Sequence, residues 1–598
     1  MLDFFNRLKG AFVLLWQASP GWAVARGVVL FLQGTLPLAS LYLIKLIIDT
    51  LTEGYGAGDP SFVLQETILY LGLIAVIIII IAICDALDEM INTAQTQRIV
   101  DHVEAALYRK AIEIDMEYYE DSHYHNVLQR AQRDAKSRPN LILRHSTKVI
   151  QNSVSLIAML SLLLSLNWII VVILFATVLP MMRVRFKYAD EMYNWHQQRT
   201  KIRRKANYFG RLMCNNRFAK EIRLFGSGSF FIERFLSLKK GLYQEQLRII
   251  KRQSLANIIV QTLAGLLLPA IYGFVIYQIV QGELKIGDLV IYHQVFQRGQ
   301  NALTVLVRNL SLLYTDNLFI ANFNEFLELK PKIREPEKPK ALPQPIQREI
   351  TFKGVSFQYP NTERTALKNV NLTIRPGETI ALVGENGSGK TTLVKLICRL
   401  FDVSSGRITI DGIDIREIPT KDLHHQISVI FQDFAHYDLS AQENIWLGNV
   451  DLDPDDPRIL SAAQRSGADA VIRALPKGYQ TILGKQFDGG DELSGGQWQK
   501  IALARAFARD SQVIVLDEPT SAMDPKAEER IFQHFKTLMK GQTAVLVTHR
   551  LSTVKMADCI YVMSDGSIVE RGTHSDLMKL KGLYADLFET QAKNYRMR

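Results

Sequence analysis

Long apolar runs dominate the first half of the chain, whereas the second half alternates between short apolar and polar stretches. The run ILYLGLIAVIIIIIAIC, residues 68–84, contains no charged side chain. A helix needs about 20 mostly apolar residues to cross the ~30 Å hydrocarbon core of a bilayer, so this run and its flanks predict a membrane span. A buried helix of a soluble protein is the alternative, but five consecutive isoleucines are unusual in a soluble core.

The same hydropathy pattern continues along the first 312 residues. It predicts six spans, at approximately 22–50, 62–92, 146–166, 168–188, 254–281 and 287–312. Two of the links, about 93–145 and 189–253, are long, charged and helical in pattern. At 1.5 Å per residue, helices of this length would continue the spans well beyond the bilayer. We therefore predict a membrane α-helical domain of six transmembrane helices with long cytosolic extensions.

The net charge of +10 is distributed unevenly over the 598 residues. No Lys or Arg lies between Lys45 and Arg98, whereas residues 98–148 hold nine and residues 183–252 hold eighteen. Basic loops are retained on the cytoplasmic side of a membrane, so both long links and both termini are expected in the cytosol. The predicted partner is thus a lipid bilayer, which we expect to be a bacterial inner or plasma membrane, and no nucleic-acid partner is expected.

A stretch rich in Pro and Lys, LKPKIREPEKPKALPQPIQ, interrupts the pattern at residues 329–347. Such a segment is unsuited to helix interiors and central strands, which predicts an extended linker. It divides the chain into a transmembrane domain, 1–328, and a soluble α/β domain, 348–598. The four cysteines show no metal-ligand spacing and are expected to be free thiols.

The first motif of the soluble domain indicates nucleotide binding. The apolar stretch TIALV predicts a strand that runs into GENGSGKTT, the context that a phosphate loop requires. Its glycines let the backbone wrap phosphates, Lys390 offers a positive charge to the β- and γ-phosphates, and Thr391 can ligate Mg²⁺. The predicted nucleotide-binding residues are Gly384, Glu385, Asn386, Gly387, Ser388, Gly389, Lys390, Thr391 and Thr392, and the predicted cofactors are ATP and Mg²⁺.

Two later strands end in polar residues. VIVLDEPT, residues 513–520, places Asp517 to hold Mg²⁺ through water and Glu518 to polarise the attacking water as a general base. TAVLVTHR, residues 543–550, ends in His549, which can reach a γ-phosphate. Between the phosphate loop and these strands lies a second phosphate-binding pattern, LSGGQ, in which Ser494, Gly495, Gly496 and Gln497 open a predicted helix.

Taken together, GENGSGKTT, LSGGQ, VIVLDEPT and VTHR resemble the ATP-binding-cassette (ABC) ATPases over roughly 250 residues. With six spans in front, the chain resembles a half-transporter of the ABC exporter type, which implies a P-loop cassette with a helical subdomain. The resemblance implies that Tyr359 stacks on adenine and that Gln432 senses the γ-phosphate and Mg²⁺. It also implies that Asp524 crosses between two cassettes.

Two positions depart from the family pattern. Met523 replaces a usual Leu, and Trp498 follows LSGGQ where many members carry Arg. Both changes are expected to leave phosphate contact intact. In the membrane domain, segments near 117–134 and 216–226 resemble the family's coupling helices, although amphipathic helices that pack on each other are an alternative.

The two phosphate-binding patterns also predict how copies of the chain assemble. The resemblance places LSGGQ on a different lobe from the phosphate loop, so Ser494, Gly495 and Gly496 are expected to grip ATP held by a second chain. In heterodimeric exporters one chain often lacks the catalytic Glu or a signature glycine, and this chain keeps both. We therefore expect a homodimer, in which a second copy of the chain is the partner.

The sixth predicted span carries a polar stripe at helical spacing, formed by His293, Gln297, Asn301, Thr304 and Arg308. Arg298 is offset from it by one position and lies near the predicted midplane. We expect these residues to line a cavity for a polar or amphipathic substrate, including one with an anionic group. Hydrogen bonding between helices of a tight bundle is the alternative.

The function expected from this organisation is ATP-driven export of an amphipathic or polar substrate by alternating access in a dimer. Peptides, lipids and drug-like molecules all remain open, and so does a flippase for lipids or lipid-linked oligosaccharides. An ATP-gated channel or regulator is disfavoured because Glu518 and His549 are present. A soluble ABC ATPase is disfavoured by the six apolar spans.

Overall fold

The computed structural model describes residues 20–57, 60–121, 124, 127–128, 131–132, 135, 137–166, 168–518, 542–548 and 554–596. These residues fall into two compact units. One unit lies within Met1–Ile112 and Asn126–Leu329, and the other within Glu113–His125 and Lys330–Arg598. The short segment after residue 112 therefore belongs to the second unit, although it precedes most of the first unit in the sequence.

Helices account for the described structure as far as residue 328. They are α1 (Pro20–Ala57), α2 (Pro60–Glu113), α3 (Met116–Glu120), α4 (Arg138–Leu166), α5 (Trp168–Gln198), α6 (Thr200–Cys214), α7 (Asn216–Leu224), α8 (Gly228–Val280) and α9 (Ile286–Leu327).

The six predicted spans coincide, to within one residue, with parts of long helices, namely α1, α2, α4, α5, α8 and α9. Each helix continues past the predicted span at one end or both, as the charged helical links required. Among the described residues, the helical segments Pro20–Glu53, Pro60–Glu113 and Arg138–Leu164 are long and apolar enough to cross a membrane. In the middle of this unit, α9 packs against α1, α4 and α5.

Short helices occupy the two segments that resemble coupling helices. In the second unit, α3 follows α2 almost directly and spans only five residues. In the first unit, α7 is capped by Asn215, whose side chain accepts a hydrogen bond from the backbone N–H of Arg217. Leu224 and Phe225, at the end of α7, are 80% and 73% exposed in the single chain.

Two sheets and several helices build the rest of the second unit. The strands are β1 (Ile350–Gln358), β2 (Thr365–Ile374), β3 (Thr379–Gly384), β4 (Ser405–Ile410), β5 (Ile413–Asp414), β6 (Ile427–Ile430), β7 (Val513–Asp517), β8 (Thr543–Val547), β9 (Cys559–Ser564) and β10 (Ser567–Gly572). The helices are α10 (Lys390–Ile397), α11 (Thr420–Gln426), α12 (Ala441–Trp446), α13 (Pro457–Ser466), α14 (Ala468–Arg473), α15 (Gly495–Phe507), α16 (His574–Leu580) and α17 (Leu583–Arg596).

The larger sheet has the strand order β10-β9-β3-β8-β7-β6, and the smaller sheet has the order β2-β1-β4-β5. In the larger sheet β3 runs parallel to β8 and β9, and β7 runs parallel to β6 and β8. Because the carboxyl ends of parallel strands lie on one edge, the residues that follow β3 and β7 share that edge.

Two of the hydrophobic cores of this unit contain the helices that follow the phosphate-binding motifs. The first core contains α10 and residues of both sheets, including Leu393 and Val515. The second contains α12 to α15, with Ile501 and Leu503 packed against Ile514 of β7. The phosphate loop precedes a helix of the first core, and LSGGQ opens a helix of the second.

Candidate functional site

The phosphate loop connects the buried strand β3 to α10, as the strand–loop–helix pattern predicted. All three of its glycines have backbone conformations that side chains rarely adopt, with φ of 153° at Gly384, 83° at Gly387 and 105° at Gly389. A Cβ atom on Gly389 would lie 2.9 Å from the carbonyl oxygen of Ala366. The loop can therefore follow this path only with glycine at these positions.

Lys390 is the first residue of α10, and its side chain is only 6% exposed. Its Nζ donates hydrogen bonds to the carbonyl oxygens of Gly384 and Glu385, both at 2.8 Å. Burial lowers the pKa of this ammonium group, and the negative charges of Glu518 and Asp517 oppose that shift. The positive charge is thus held inside the loop that would wrap a phosphate.

Asp517 ends β7 and is 1% exposed. Burial raises the pKa of its carboxyl group, while a hydrogen bond from Thr391 acts in the opposite direction. Its Oδ2 atom is buried and has no hydrogen-bond partner among the described residues. An unpartnered buried carboxylate oxygen beside a threonine hydroxyl suits Mg²⁺, because proteins usually bind this ion through one or two carboxylates together with other oxygen ligands. The residues present therefore fit the predicted magnesium site.

Glu518 follows Asp517 with a φ of 50°, an unusual backbone conformation for a residue other than glycine. Its backbone N–H donates to the carbonyl oxygen of Val547 at 2.9 Å, which ties the residue to the end of β8. Its Oε2 atom accepts a hydrogen bond of 3.0 Å from Nε2 of Gln432. The structure thus brings together the predicted base and the predicted γ-phosphate sensor.

Tyr359 lies just after β1, where its hydroxyl is 3.1 Å from Oγ1 of Thr392 on α10. The rings of Phe357 and Phe401 meet it edge to face, at centroid distances of 4.9 and 5.5 Å. These contacts fix an aromatic ring beside the start of α10, next to the phosphate loop. Such a position suits the stacking role that the family resemblance implied.

The residues of LSGGQ open α15 as predicted. Ser494 caps the helix, and its Oγ accepts from the N–H of Gln497 while its own N–H donates to Oε1 of Gln497. Ser494 and Gly495 are exposed, and Gly496 is half-buried. The helix end that could face a phosphate is therefore accessible in the single chain. His549 and Asp524 lie outside the described residues, as does Met523.

Family models match both units of the chain. The ABC transporter transmembrane region matches residues 25–299, and the ABC transporter ATP-binding domain matches residues 367–521. The subtilin transport ATP-binding protein SpaT of Bacillus subtilis is 30% identical over 94% of this chain and 90% of its own length. This chain belongs to the ABC transporter family. Its helical transmembrane domain is fused to an ATP-binding cassette, as the sequence predicted.

Further similarities agree with that assignment. The nisin transport ATP-binding protein NisT of Lactococcus lactis is 28% identical over 98% of this chain and 96% of its own length. An ATP-dependent lipid A-core flippase of Methylobacillus flagellatus is 29% identical over 83% of this chain and 82% of its own length. A bacterial Atm1-family ABC exporter solved with ATP bound has the same fold. It gives a TM-score of 0.78 at 23% identity, over 98% of both chains.

In this ABC transporter, the predicted stripe residues of α9 and the neighbouring Arg298 divide into two sets. Gln297, Asn301 and Arg308 are exposed on a helix whose other faces are largely buried. His293, Arg298 and Thr304 are half-buried. His293 hydrogen bonds to the Tyr272 hydroxyl, Arg298 donates to the carbonyl oxygen of Pro37 at 3.4 Å, and Thr304 contacts the sulfur of Met181 at 3.6 Å.

The transmembrane domain also contains a buried polar cluster that the sequence patterns did not predict. Arg26 of α1 is 5% exposed and donates to Asp88, Asn92 and Gln95 of α2, at distances between 3.0 and 3.1 Å. The sequence feature that could have indicated this cluster is a basic residue inside the first predicted span, together with acidic and amide residues at helical spacing near the end of the second span. Pairing between two spans is not visible from one sequence.

Proposed function

We propose that this ABC transporter is an exporter that couples ATP hydrolysis in two cassettes to movement of an amphipathic substrate across a membrane. One observation carries the proposal. The cassette holds two phosphate-binding elements on helices of different cores, and it is fused to a transmembrane domain whose central helix exposes a polar stripe. A protein with this arrangement can couple nucleotide binding to transport across the membrane.

Hydrolysis is supported by the geometry at the end of β7. The Glu518 carboxylate is held by Gln432 at 3.0 Å, on the edge of the sheet where the phosphate loop also lies. Such a carboxylate can orient and polarise a water that attacks the γ-phosphate. Thr391 and Asp517 would hold Mg²⁺, which neutralises charge on the β- and γ-phosphates when it is bound. Lys390 adds a fixed positive charge to the same phosphates.

We propose further that the working unit contains two copies of the chain. The exposed Ser494 and Gly495 at the start of α15 offer backbone N–H groups and a positive helix end to a phosphate. The phosphate loop belongs to the other core, so each copy supplies half of two composite ATP sites. By the positive-inside rule, the basic links support an orientation with the cassettes and both termini in the cytosol.

The proposed substrate is an amphipathic peptide. The exposed Gln297, Asn301 and Arg308 give α9 an accessible polar face, which suits a substrate with polar as well as apolar groups. Among the relatives, those named for subtilin and nisin transport match 94% and 98% of this chain. The relative named as a lipid A-core flippase makes a lipid the second candidate.

Reconstitution in lipid vesicles tests both candidates. We expect ATP hydrolysis to rise severalfold with an amphipathic peptide and to stay near the basal rate with a lipid A-type glycolipid. In vesicles with the cassettes outside, the peptide should accumulate inside only when ATP is present. Stimulation by the glycolipid alone would favour the flippase, and a gradient-driven flux without ATP turnover would favour a channel.

A further inference from the structure

The residue that departs most visibly from the family pattern after LSGGQ makes a well-defined ring contact. Trp498 lies on the first turn of α15 and is 2% exposed. Its ring stacks on the exposed ring of His436, with the centroids 4.4 Å apart and the planes at 2°. A parallel, close-packed pair of this kind is a specific contact, because aromatic rings gain from stacking as well as from burial.

The partner ring belongs to the loop that begins at Gln432, residues 432–439. This loop is held against α15 at a second point by Arg505, whose Nη1 donates to the carbonyl oxygen of Ala435 at 3.1 Å and whose guanidinium lies over the Tyr437 ring at 4.7 Å. Trp498 and Arg505 are seven residues apart, which places them on the same face of α15 two turns apart. α15 therefore contacts the loop at two points that are two helical turns apart.

The loop 432–439 and the start of α15 each include a residue proposed to contact ATP. In the loop, Gln432 is hydrogen bonded to Glu518, beside the chain's own phosphate loop. On α15, Trp498 lies four residues after Ser494. Its indole N–H donates to Oε1 of Glu492 at 3.4 Å, so the tryptophan also fixes the segment that leads into LSGGQ.

We propose that the Trp498–His436 stack is a positioning contact of the ATPase cycle. It couples the Gln432 loop to the helix start that presents Ser494, Gly495 and Gly496, so that binding of the chain's own ATP sets the orientation of the glycines offered to the second copy. The proposal rests on the proposed ATPase function and concerns its regulation. Neither ring touches ATP in this scheme, and both act through the residues that do.

The test compares variants of the full chain in lipid nanodiscs. His436→Ser removes the stack at an exposed position, and His436→Phe keeps a ring there. We expect the serine variant to lower kcat about fivefold, because loss of a stack of ~1 kcal/mol corresponds to a change of that size, and to bring the Hill coefficient for ATP close to one. The phenylalanine variant should stay within about twofold of the wild-type rate.

Two further measurements separate positioning from general stability. Binding of a fluorescent ATP analogue should be unchanged in His436→Ser, because Tyr359 and the phosphate loop belong to the other core. Trp498→Arg, which restores the common family residue, should lower kcat as His436→Ser does, and the double variant should be no slower than either single variant. His574→Ser is a control for the loss of a histidine contact elsewhere in the cassette, since His574 meets the Phe588 ring at 4.8 Å and hydrogen bonds to the Tyr584 hydroxyl at 2.8 Å.

The outcomes distinguish this inference from the function on which it rests. Wild-type kcat and Hill coefficient in His436→Ser would overturn the inference, and so would additive losses in the double variant or an equal loss in His574→Ser. If Trp498→Arg does not fold, the His436 variants still decide the matter. Absence of ATP hydrolysis in the wild-type protein would instead overturn the proposed function.

Discussion

At the scale of single residues, the carboxylate of Glu518 is fixed from two directions. The hydrogen bond from Gln432 orients the side chain, and the backbone hydrogen bond to Val547 orients the main chain. Glu518→Gln keeps the size of the side chain but removes its ability to accept a proton. We expect at least a hundredfold fall in the rate of phosphate release, with ATP binding retained, because a positioned general base contributes about 10²–10⁴-fold.

Steady-state phosphate release and equilibrium ATP binding measure the two quantities separately. Asp586→Asn is a suitable control, because Asp586 is an exposed acid on α17. Hydrolysis by Glu518→Gln at the wild-type rate would show that the water is activated by another group.

A second residue-scale prediction concerns the adenine site. If the Tyr359 ring stacks on the base, Tyr359→Ala should weaken ATP binding by about 5- to 150-fold, since stacking of a base on an aromatic ring contributes about 1–3 kcal/mol. Tyr359→Phe should bind within about threefold of wild type, because it loses only the contact with the Thr392 hydroxyl. Calorimetry with ATP and with tripolyphosphate checks this, since tripolyphosphate should bind both variants as it binds wild type.

Residues whose chemistry depends on their immediate neighbours in the chain were predictable from the sequence. Lys390, Thr391 and Asp517 follow buried strands in short motifs, and the structure places them at one sheet edge. By contrast, the contact of Trp498 with His436 joins positions 62 residues apart, and it requires knowledge of how α15 packs on the Gln432 loop. The motif identified the helix start but could not identify what supports it.

At the scale of elements, an ion pair joins the short helix α3 to α10 of the cassette. The Nζ atom of Lys395 on α10 is 2.8 Å from Oε1 of Glu120 and lies over the Tyr359 ring at 5.2 Å. Burial lowers the pKa of Lys395, but the interactions with Glu120 and Tyr359 outweigh it, so the pKa is raised overall. Tyr118 of the same helix donates to the carbonyl oxygen of Lys330 at 2.9 Å.

This arrangement predicts that charge reversal will loosen α3. In Lys395→Glu, two carboxylates would face each other, and we expect the backbone amides of residues 116–120 to exchange with solvent several times faster. The combination with Glu120→Lys should restore their protection. Lys340 and Glu417 provide the control, because they form an exposed pair at the same distance of 2.8 Å elsewhere in the unit. Unchanged exchange in Lys395→Glu would show that α3 is held by other contacts.

The element boundaries show which signals the sequence carries. Apolar runs located all six long helices, but they end where the lipid would end, whereas α2 and α8 extend to 54 and 53 residues. The additional turns are charged and amphipathic, and packing rather than hydropathy decides where they stop. The membership of Glu113–His125 in the second unit is likewise a tertiary property that no local pattern encodes.

At the scale of the whole molecule, the two phosphate-binding elements of the cassette predict that two defective chains can restore each other. A chain with Lys390→Ala lacks the phosphate-loop charge, and a chain with Gly495→Asp places a carboxylate where a phosphate should approach the start of α15. A homodimer of either variant has two defective sites. A mixed dimer has one site with both defects and one intact site.

Co-expression of the two variants, with different affinity tags, therefore tests the composite site. If the chains pair at random, half of the dimers are mixed and each has one intact site, so we expect at most about a quarter of the wild-type ATPase rate. Purification through both tags should about double the measured rate, because it removes the inactive homodimers. Two Lys390→Ala chains with the same pair of tags should stay inactive. Absence of activity in the doubly tagged mixed dimer would mean that Gly495 serves the ATP of its own chain, because only a site shared between copies can be rebuilt by mixing them.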